Sequence, residues 1–306
     1  MSGSHHPAIG ARATLAAVAL LAVTATAGTA TAGTADVDHR HDHDGTPRSR
    51  HRHHETVSLH VGHMSGRFNA PEAQVVDYIV KLMEYRHLDA LTTTESEEPG
   101  IGPDVRARLG SRFHVVKRHE YMIITRNSRL VPVHDSLSYR ALSSNIVGRE
   151  AWRNMYTASS SYHVVGSDKK VILYATHAPA TVDMSDPHYR PGITGPKIAS
   201  RVGFTAMGRW ITARSGPNVV QLSNMDSNVD WHNAMWRDTV LGETGGISIW
   251  SASRPAVGTH ADNRLIDTAI VFNATIVTSS ISPANLFRPA AMDHKTIEYR
   301  VSFPRH

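Results

Sequence analysis

The feature that most constrains the fold is a long alternation of strand-like and helix-like segments, which begins at residue 56. Residues 70–85 place apolar side chains at helical spacing behind Pro71, and this pattern predicts a helix. Short apolar runs predict strands at 56–61, 88–93, 113–117, 120–126, 130–137, 162–166, 169–176, 217–223, 265–272 and 296–303, and further helices near 193–212 and 229–240. So many strands, with helices at intervals, predict a layered β-sandwich that carries its helices outside.

The composition supports a sizeable core and restricts the chemistry. The chain has 306 residues, of which 41% are hydrophobic, and it has no cysteine. Disulfides and thiolate zinc sites are therefore excluded, and any metal must be bound by oxygen or imidazole. The formal net charge is +5, which permits a polyanionic substrate without requiring one. Since no repeat of fixed period and no change of composition follows residue 55, we predict one domain over residues 55–306.

The first 54 residues differ from the rest of the chain. An apolar run at 13–23 behind Arg12, followed by Thr, Ala and Gly, predicts a signal peptide or low-complexity leader over residues 1–35. The run is too short for a stable membrane span. A secreted protein is expected, and the alternative is a cytoplasmic protein whose leader has no targeting role.

A second N-terminal segment, residues 36–54, alternates His, Asp and Arg with almost no apolar side chains. Such a segment buries too little apolar surface to fold, so we predict a disordered linker. Its His and Asp residues either chelate a transition metal such as Zn, Cu or Ni, or form a solvated spacer.

Short polar signatures follow several of the apolar runs, in a fixed order. Their polar residues are Glu95, His177, Asp226 with Asn228, Asp267, and Asp293 with His294. Strands that end in carboxylates, an amide and imidazoles can build a hard-metal site beside a proton-transfer site. Hydrolysis of a phosphate ester requires that combination, so the sequence predicts an enzyme.

The ordered signatures resemble those of the endonuclease/exonuclease/phosphatase superfamily, which includes DNase I-like nucleases, inositol polyphosphate phosphatases and sphingomyelinases. The matching motifs are Asp-x5-Glu, Thr-His, Asp-x-Asn, Ile-Asp and Asp-His, and they span about residues 56–303. The resemblance implies an α+β fold, a four-layered α/β/β/α sandwich of the DNase I-like type. It also implies a divalent-metal-dependent hydrolase of phosphodiesters, with Mg²⁺ or Mn²⁺ as cofactor and nucleic acid as the first candidate substrate.

The resemblance also implies roles for the first four residues. Glu95 corresponds to the metal-binding glutamate of the family. His177 corresponds to the histidine that donates a hydrogen bond or a proton to developing negative charge. Asp226 orients or deprotonates the attacking water, and Asn228 contacts the phosphate or the metal. Because side chains two residues apart share one side of an extended segment, Asp226 and Asn228 are expected to face one phosphate. The alternative is an Asx turn that closes the strand.

The remaining residues complete the implied site. Asp267 and His294 form a carboxylate–imidazole pair, and Asp293 is a second ligand to the metal or to the attacking water. Water activation is assigned to Asp226 and His294 jointly, because family mechanisms differ on which group is the base. Glu120 is expected to support His177, as an acidic residue does in some relatives.

Three departures from the family pattern leave alternatives open. His60 stands in the first strand, where the family usually has Asn, and an imidazole metal ligand there suits Mn²⁺ or Zn²⁺ better than Mg²⁺. Thr94 replaces the usual Gln, and Met225 replaces the usual Gly. A catalytically degenerate binding module of the same fold is therefore one alternative. A phospholipid or sugar-phosphate phosphodiesterase is the other.

Overall fold

The structure, a computed structural model, describes residues 55–66, 70–143, 155–179 and 195–306, without the side chains of residues 195–201, 235 and 236. These residues belong to one compact unit, Arg52–His306. The predicted leader, residues 1–35, and the predicted linker, residues 36–54, lie outside the described residues. In the described part of the chain, no helix is both long and apolar enough to cross a membrane.

The described strands form two mixed sheets. In chain order they are β1 (Thr56–Met64), β2 (Ala90–Thr93), β3 (Phe113–Arg118), β4 (Tyr121–Arg126), β5 (Leu130–Pro132), β6 (Ser138–Ala141), β7 (Tyr156–Val164), β8 (Lys170–His177), β9 (Val219–Asp226), β10 (Ile247–Ser248), β11 (Asp267–Phe272), β12 (Thr275–Ile281) and β13 (Ile297–Pro304). The first sheet has the order β12-β13-β1-β2-β4-β3, and the second has the order β10-β11-β9-β8-β7-β5, with β6 also paired to β7.

Helices cover the outer face of each sheet. They are α1 (Glu72–Tyr85), α2 (Ile101–Leu109), α3 (Gly195–Ala213) and α4 (Ala234–Thr244), with short 3-10 helices at Gly110–Arg112 and Pro283–Phe287. On the first sheet, Met122 and Ile124 pack in one apolar cluster with Val75 and Ile79 of α1. On the second sheet, the Trp210 ring of α3 meets Tyr174 edge-on at 5.3 Å. The layers therefore run α/β/β/α, which confirms the predicted fold class.

The two sheets face each other across the main core, and the alternation of side chains along β1 shows how. Leu59 and Val61 are fully buried in the core cluster between the sheets. Met64, on the opposite face of the strand, belongs to the cluster under α1 and α2. Odd-numbered residues of β1 thus face the second sheet, and even-numbered residues face the helices.

Several predicted elements differ from the observed ones. The predicted strand at 130–137 ends at Pro132, which has no N–H to continue the ladder. Strand β7 begins at Tyr156, well before the predicted residue 162, because its buried positions are mostly Thr and Ser rather than apolar residues. The fourth helix begins at Ala234, since residues 229–233 form a turn instead of its predicted first turn.

Besides the two 3-10 helices of the described residues, the sequence prediction missed one α-helix and three strands. Helix α2 was hidden by Gly100, Gly102 and Pro103, which break the helical pattern near its start. Strands β6 and β12 are partly exposed along their length and lack a clean apolar face. Strand β10 has two residues, too few for any pattern.

Strand register brings the predicted polar residues to one edge of the sandwich. Strands β8 and β9 run parallel, with His177 beside Asp226, and β11 pairs antiparallel to β9, with Asp267 beside Asp226. In the first sheet, β1 and β2 also run parallel and end side by side at Met64 and Thr93.

Candidate active site

Asp226 lies at the centre of the site and is 1% exposed. Its Oδ2 accepts a hydrogen bond from Ser65 Oγ at 3.2 Å, and its Oδ1 accepts one from the backbone N–H of Asn228 at 3.0 Å. The Nε2 atoms of His177 and His294 each lie 3.7 Å from Asp226 Oδ2, too far for a good hydrogen bond. Two hydrogen bonds therefore fix the carboxylate, while both imidazoles face it across a gap.

A carboxylate behind each imidazole fixes its orientation. His294 Nδ1 donates to Asp267 Oδ2 at 2.9 Å, and His177 Nδ1 lies 3.4 Å from both oxygens of Glu120. Because an ionised carboxylate only accepts, Nδ1 carries the hydrogen in both rings and Nε2 points into the site. Glu120 lies where it was expected to support His177.

The electrostatics of the two imidazoles follow from these carboxylates. Burial lowers the pKa of His177, but its hydrogen bond to Glu120 and the charge of Asp226 outweigh burial and raise the pKa to about 10. Burial also lowers the pKa of His294, and the charges of Asp267 and Asp226 raise it to about 10. Both rings are therefore stabilised as imidazolium donors to an anionic ligand.

The carboxylates of Glu95 and Asp293 face the space that a β-carbon on Gly66 would fill, and this space is called the cradle below. Gly66 has φ +78°, and a β-carbon built on it would lie 2.6 Å from Asp293 Oδ1 and 3.5 Å from Glu95 Oε2. Asp293 Oδ1 is buried without a hydrogen-bond partner. Burial raises the pKa of Glu95, which is the expected effect of withdrawing a carboxylate from water. Two such oxygens around one open space fit a divalent cation that prefers oxygen ligands.

His60, predicted as a metal ligand, lies outside this site. As an even-numbered residue of β1 it faces the helices, where its Nε2 donates to Glu298 Oε2 at 3.1 Å. Arg300 Nη2 donates to His60 Nδ1 at 3.2 Å. Because both ring nitrogens are used in this way, His60 has no lone pair for a metal, and its assignment is corrected.

The first-strand histidine at the site is His63. It is fully buried between the sheets, and its Nδ1 lies 3.0 Å from Thr92 Oγ1. Its Nε2 faces Asp267 Oδ1 at 3.8 Å, and neither of these two buried atoms has a hydrogen-bond partner. Burial lowers the pKa of His63 to about 3, so the ring is neutral. Asp267 thus lies between the imidazoles of His63 and His294.

Asn228 occupies a turn rather than the extended segment that the sequence predicted. Strand β9 ends at Asp226, and Asn228 has φ 48°, a conformation that Asn adopts more readily than most residues. Its backbone N–H donates a hydrogen bond to the Asp226 side chain, and this hydrogen bond closes an Asx turn. Its Nδ2 donates to the carbonyl of Ala178 at 2.8 Å. The turn holds Asn228 beside Asp226 by a different geometry from the expected one.

His260, which the sequence did not predict, completes the edge of the site. Its ring lies edge-on to that of His294, with centroids 4.8 Å apart, and the two backbones form a β-bridge. Its Nε2 lies 3.5 Å from Asp293 Oδ2, and its Nδ1 lies 2.7 Å from Asp262 Oδ1. The hydrogen bond to Asp293 raises the pKa of His260.

Comparison with known proteins identifies the fold. No protein-family model matches the sequence, and no curated protein sequence does so either. Among solved structures, an endonuclease/exonuclease/phosphatase family protein from Bacteroides thetaiotaomicron matches with 13% identity and a TM-score of 0.63, covering 81% of this chain and 99% of that one. A mannosyl-6-phosphatase from the same species matches with 13% identity and a TM-score of 0.61, covering 79% and 99%.

A third solved structure, D. rerio TDP2 complexed with a single-strand DNA product, matches with 11% identity and a TM-score of 0.56, covering 80% of this chain and 98% of that one. At such identities the likeness establishes the fold. It confirms what the motifs implied: the chain has the DNase I-like fold of the endonuclease/exonuclease/phosphatase superfamily.

Proposed function

We propose that this chain is a metal-dependent phosphoesterase that hydrolyses a phosphodiester, with nucleic acid as its substrate. One observation carries the proposal. Asp226 Oδ2 faces two imidazoles at 3.7 Å, each held from behind by a carboxylate, beside the Glu95–Asp293 pair. The arrangement suits a tetrahedral anion that receives hydrogen bonds on one side and neutralising charge on the other.

A divalent cation held by Glu95 and Asp293 would neutralise charge on a phosphoryl oxygen. Asp226 and His294 would activate the attacking water jointly: Asp226 would accept its proton, and the His294 imidazolium, held by Asp267, would orient the Asp226 carboxylate by its charge. His177 Nε2, which is buried without a hydrogen-bond partner, would donate to the phosphoryl group.

Nucleic acid is favoured by charge and by one structural neighbour. The chain carries a net charge of +5, which favours a polyanion. The D. rerio TDP2 structure of the same fold holds a single-strand DNA product. A sugar phosphate is the second candidate, and the mannosyl-6-phosphatase neighbour supports it.

Nicking of supercoiled plasmid by the full chain tests the proposal. The assay is run in Mg²⁺, in Mn²⁺ and with EDTA, next to a bis-aryl phosphodiester and a sugar phosphate. We expect metal-dependent nicking that falls by on the order of 10²–10⁴-fold in Asp226→Asn, because that change removes the central proton acceptor. The control is Asp135→Asn, whose side chain is 86% exposed and lies in a surface turn.

The outcomes separate the candidates. Wild-type nicking by Asp226→Asn would show that another site is responsible. Cleavage of the bis-aryl ester alone would remove nucleic acid as the substrate, and cleavage of the sugar phosphate would favour the second candidate. A folded protein that hydrolyses none of the three in either metal would support the degenerate binding module.

A further inference from the structure

His260 presents both ring nitrogens to carboxylates, which is an unusual demand on one imidazole. Its Nδ1 lies 2.7 Å from Asp262 Oδ1, and because a carboxylate only accepts, this nitrogen carries a hydrogen. Its Nε2 lies 3.5 Å from Asp293 Oδ2. In the neutral ring, Nε2 would then turn a lone pair towards a carboxylate. Either a proton on Nε2 or a metal cation between the two atoms removes that repulsion.

His294 repeats the same arrangement on the other side of Asp293. Its Nδ1 donates to Asp267 Oδ2 at 2.9 Å, and its Nε2 lies 4.0 Å from Asp293 Oδ1. A histidine that binds a metal almost always donates its other ring N–H to a carboxylate or a carbonyl. Both imidazoles therefore turn Nε2 towards Asp293, and the Nε2 of His294 also faces Asp226 Oδ2 at 3.7 Å.

The separation between His260 and Asp293 fits a metal with one nitrogen and one oxygen ligand, and His294 lies within about 0.6 Å of the same geometry. Zinc–nitrogen and zinc–oxygen bonds of about 2.1 Å, at a tetrahedral angle, separate the two ligand atoms by roughly 3.4 Å. The observed separation between His260 Nε2 and Asp293 Oδ2 is 3.5 Å. The three residues each offer one ligand atom, and these atoms all lie within 4.8 Å of one another. The side chains of His260 and Asp293 are 20% and 30% exposed, so water can reach the remaining positions.

The two carboxylate oxygens of Asp293 face different groups. Oδ1 faces the cradle over Gly66 together with Glu95, whereas Oδ2 faces His260. We infer that His260, Asp293 and His294 form a second cation site, a two-histidine, one-carboxylate site for Zn²⁺ or a similar transition metal, adjoining the oxygen-lined Glu95 site through Asp293. Imidazole favours transition metals over Mg²⁺, so the two sites differ in preference.

Occupancy of this site has a consequence for the proposed function. His294 Nε2 cannot bind a metal and keep its imidazolium proton at the same time. Filling the second site therefore inhibits hydrolysis. This consequence rests on the proposed function, whereas the cation site itself does not.

Metal binding by the full chain tests the inference without reference to activity. The protein is first stripped of metal with a chelator and then equilibrated with Zn²⁺ in a weakly chelating buffer. The buffer competes for zinc that the His-rich residues 36–54 would otherwise retain. Bound zinc is measured by elemental analysis. Co²⁺ is then used as a probe whose visible spectrum reports coordination geometry. The variants are His260→Asn and Asp262→Asn, and the control is His232→Asn, which alters another His–Asp pair, with Nδ1 3.2 Å from Asp230 Oδ1.

We expect wild type and His232→Asn to bind one more equivalent of Zn²⁺ than His260→Asn. In Asp262→Asn the affinity should fall by about 10- to 100-fold, because the carboxylate behind the ligand is lost. Full zinc content and an unchanged Co²⁺ spectrum in folded His260→Asn would overturn the inference, as would equal losses in His232→Asn. If the chain hydrolyses phosphodiesters in Mg²⁺, added Zn²⁺ should inhibit wild type and spare His260→Asn. If it hydrolyses none, the binding data alone decide.

Discussion

Replacing Glu298 by Gln tests how much stability one buried charge network contributes. Glu298 lies in β13 and is 2% exposed. Arg86 donates to its carboxylate from Nε and from Nη2, each at 3.1 Å, and His60 Nε2 and Ser282 Oγ donate as well. Burial raises the pKa of Glu298, but the hydrogen bonds from His60, Arg86 and Ser282 outweigh burial and lower it to about 2.

The magnitude follows from the shift in pKa. A fall from the ordinary 4.5 to about 2 corresponds to roughly 3 kcal/mol of stability, at about 1.4 kcal/mol for each pH unit. Because the pKa is depressed in the folded state, this stability is fully present above about pH 4.5 and is lost as the pH falls through about 2. The Gln variant cannot carry the charge, and it leaves the Arg86 guanidinium without its partner.

The assay is urea unfolding of wild type and Glu298→Gln, near pH 7 and near pH 3. We expect the variant to be less stable by about 3 kcal/mol near pH 7 and by less than about 2 kcal/mol near pH 3. The control, Asp77→Asn, breaks an ion pair with Arg108 whose side chains are both more than half exposed, and should cost under about 1 kcal/mol. A deficit that is small near pH 7, or equal at both pH values, would refute the reasoning.

Two further predictions concern the candidate site. Gly66→Ala places a β-carbon 2.6 Å from Asp293 Oδ1, at a residue with φ +78°, so the variant should lose about 1–2 kcal/mol of stability. It should also bind Mg²⁺ and Mn²⁺ more weakly, which calorimetric titration measures. An unchanged metal affinity would show that the space over Gly66 does not bind the metal. His63→Asn replaces a buried imidazole by an amide whose oxygen is a harder ligand, so affinity for Mg²⁺ should rise relative to Mn²⁺. An unchanged ratio of the two dissociation constants would show that His63 does not influence the metal.

The order of the polar signatures predicted which residues the fold would bring to one edge, because the ends of parallel strands meet there. The position of the first-strand residue was harder to predict. Along β1, Val57, Leu59 and Val61 alternate with Ser58, His60 and Gly62, and this period of two places His63 on the face of the apolar residues and His60 on the other. Since both faces are buried from Leu59 onward, the pattern separates the two histidines but does not show which face carries the site.

The role of His260 could not be read from local pattern either. It lies 33 residues before Asp293, in a loop without helical or strand periodicity, and the backbone bridge to His294 fixes its place. Likewise, the Asx turn at Asn228 depends on where β9 ends. The bridge is a tertiary contact, and the end of β9 is set by its pairing in the sheet, so a spacing rule contains neither.

The site is divided between the two sheets, and this division makes it sensitive to the interior of the protein. Gly66 and Glu95 follow strands of the first sheet, whereas His177, Asp226 and Asp267 end or begin strands of the second. The sheets are tied together in the core by the Tyr299 hydroxyl, which donates to Asn224 Oδ1 at 2.7 Å. A small slip of one sheet over the other would leave every polar side chain intact and still move Gly66 and Glu95 away from His177, Asp226 and Asp267. The rate of the proposed hydrolysis is therefore expected to depend on the alignment of the two sheets, and to change with mutations deep in the apolar core that touch no polar group of the site.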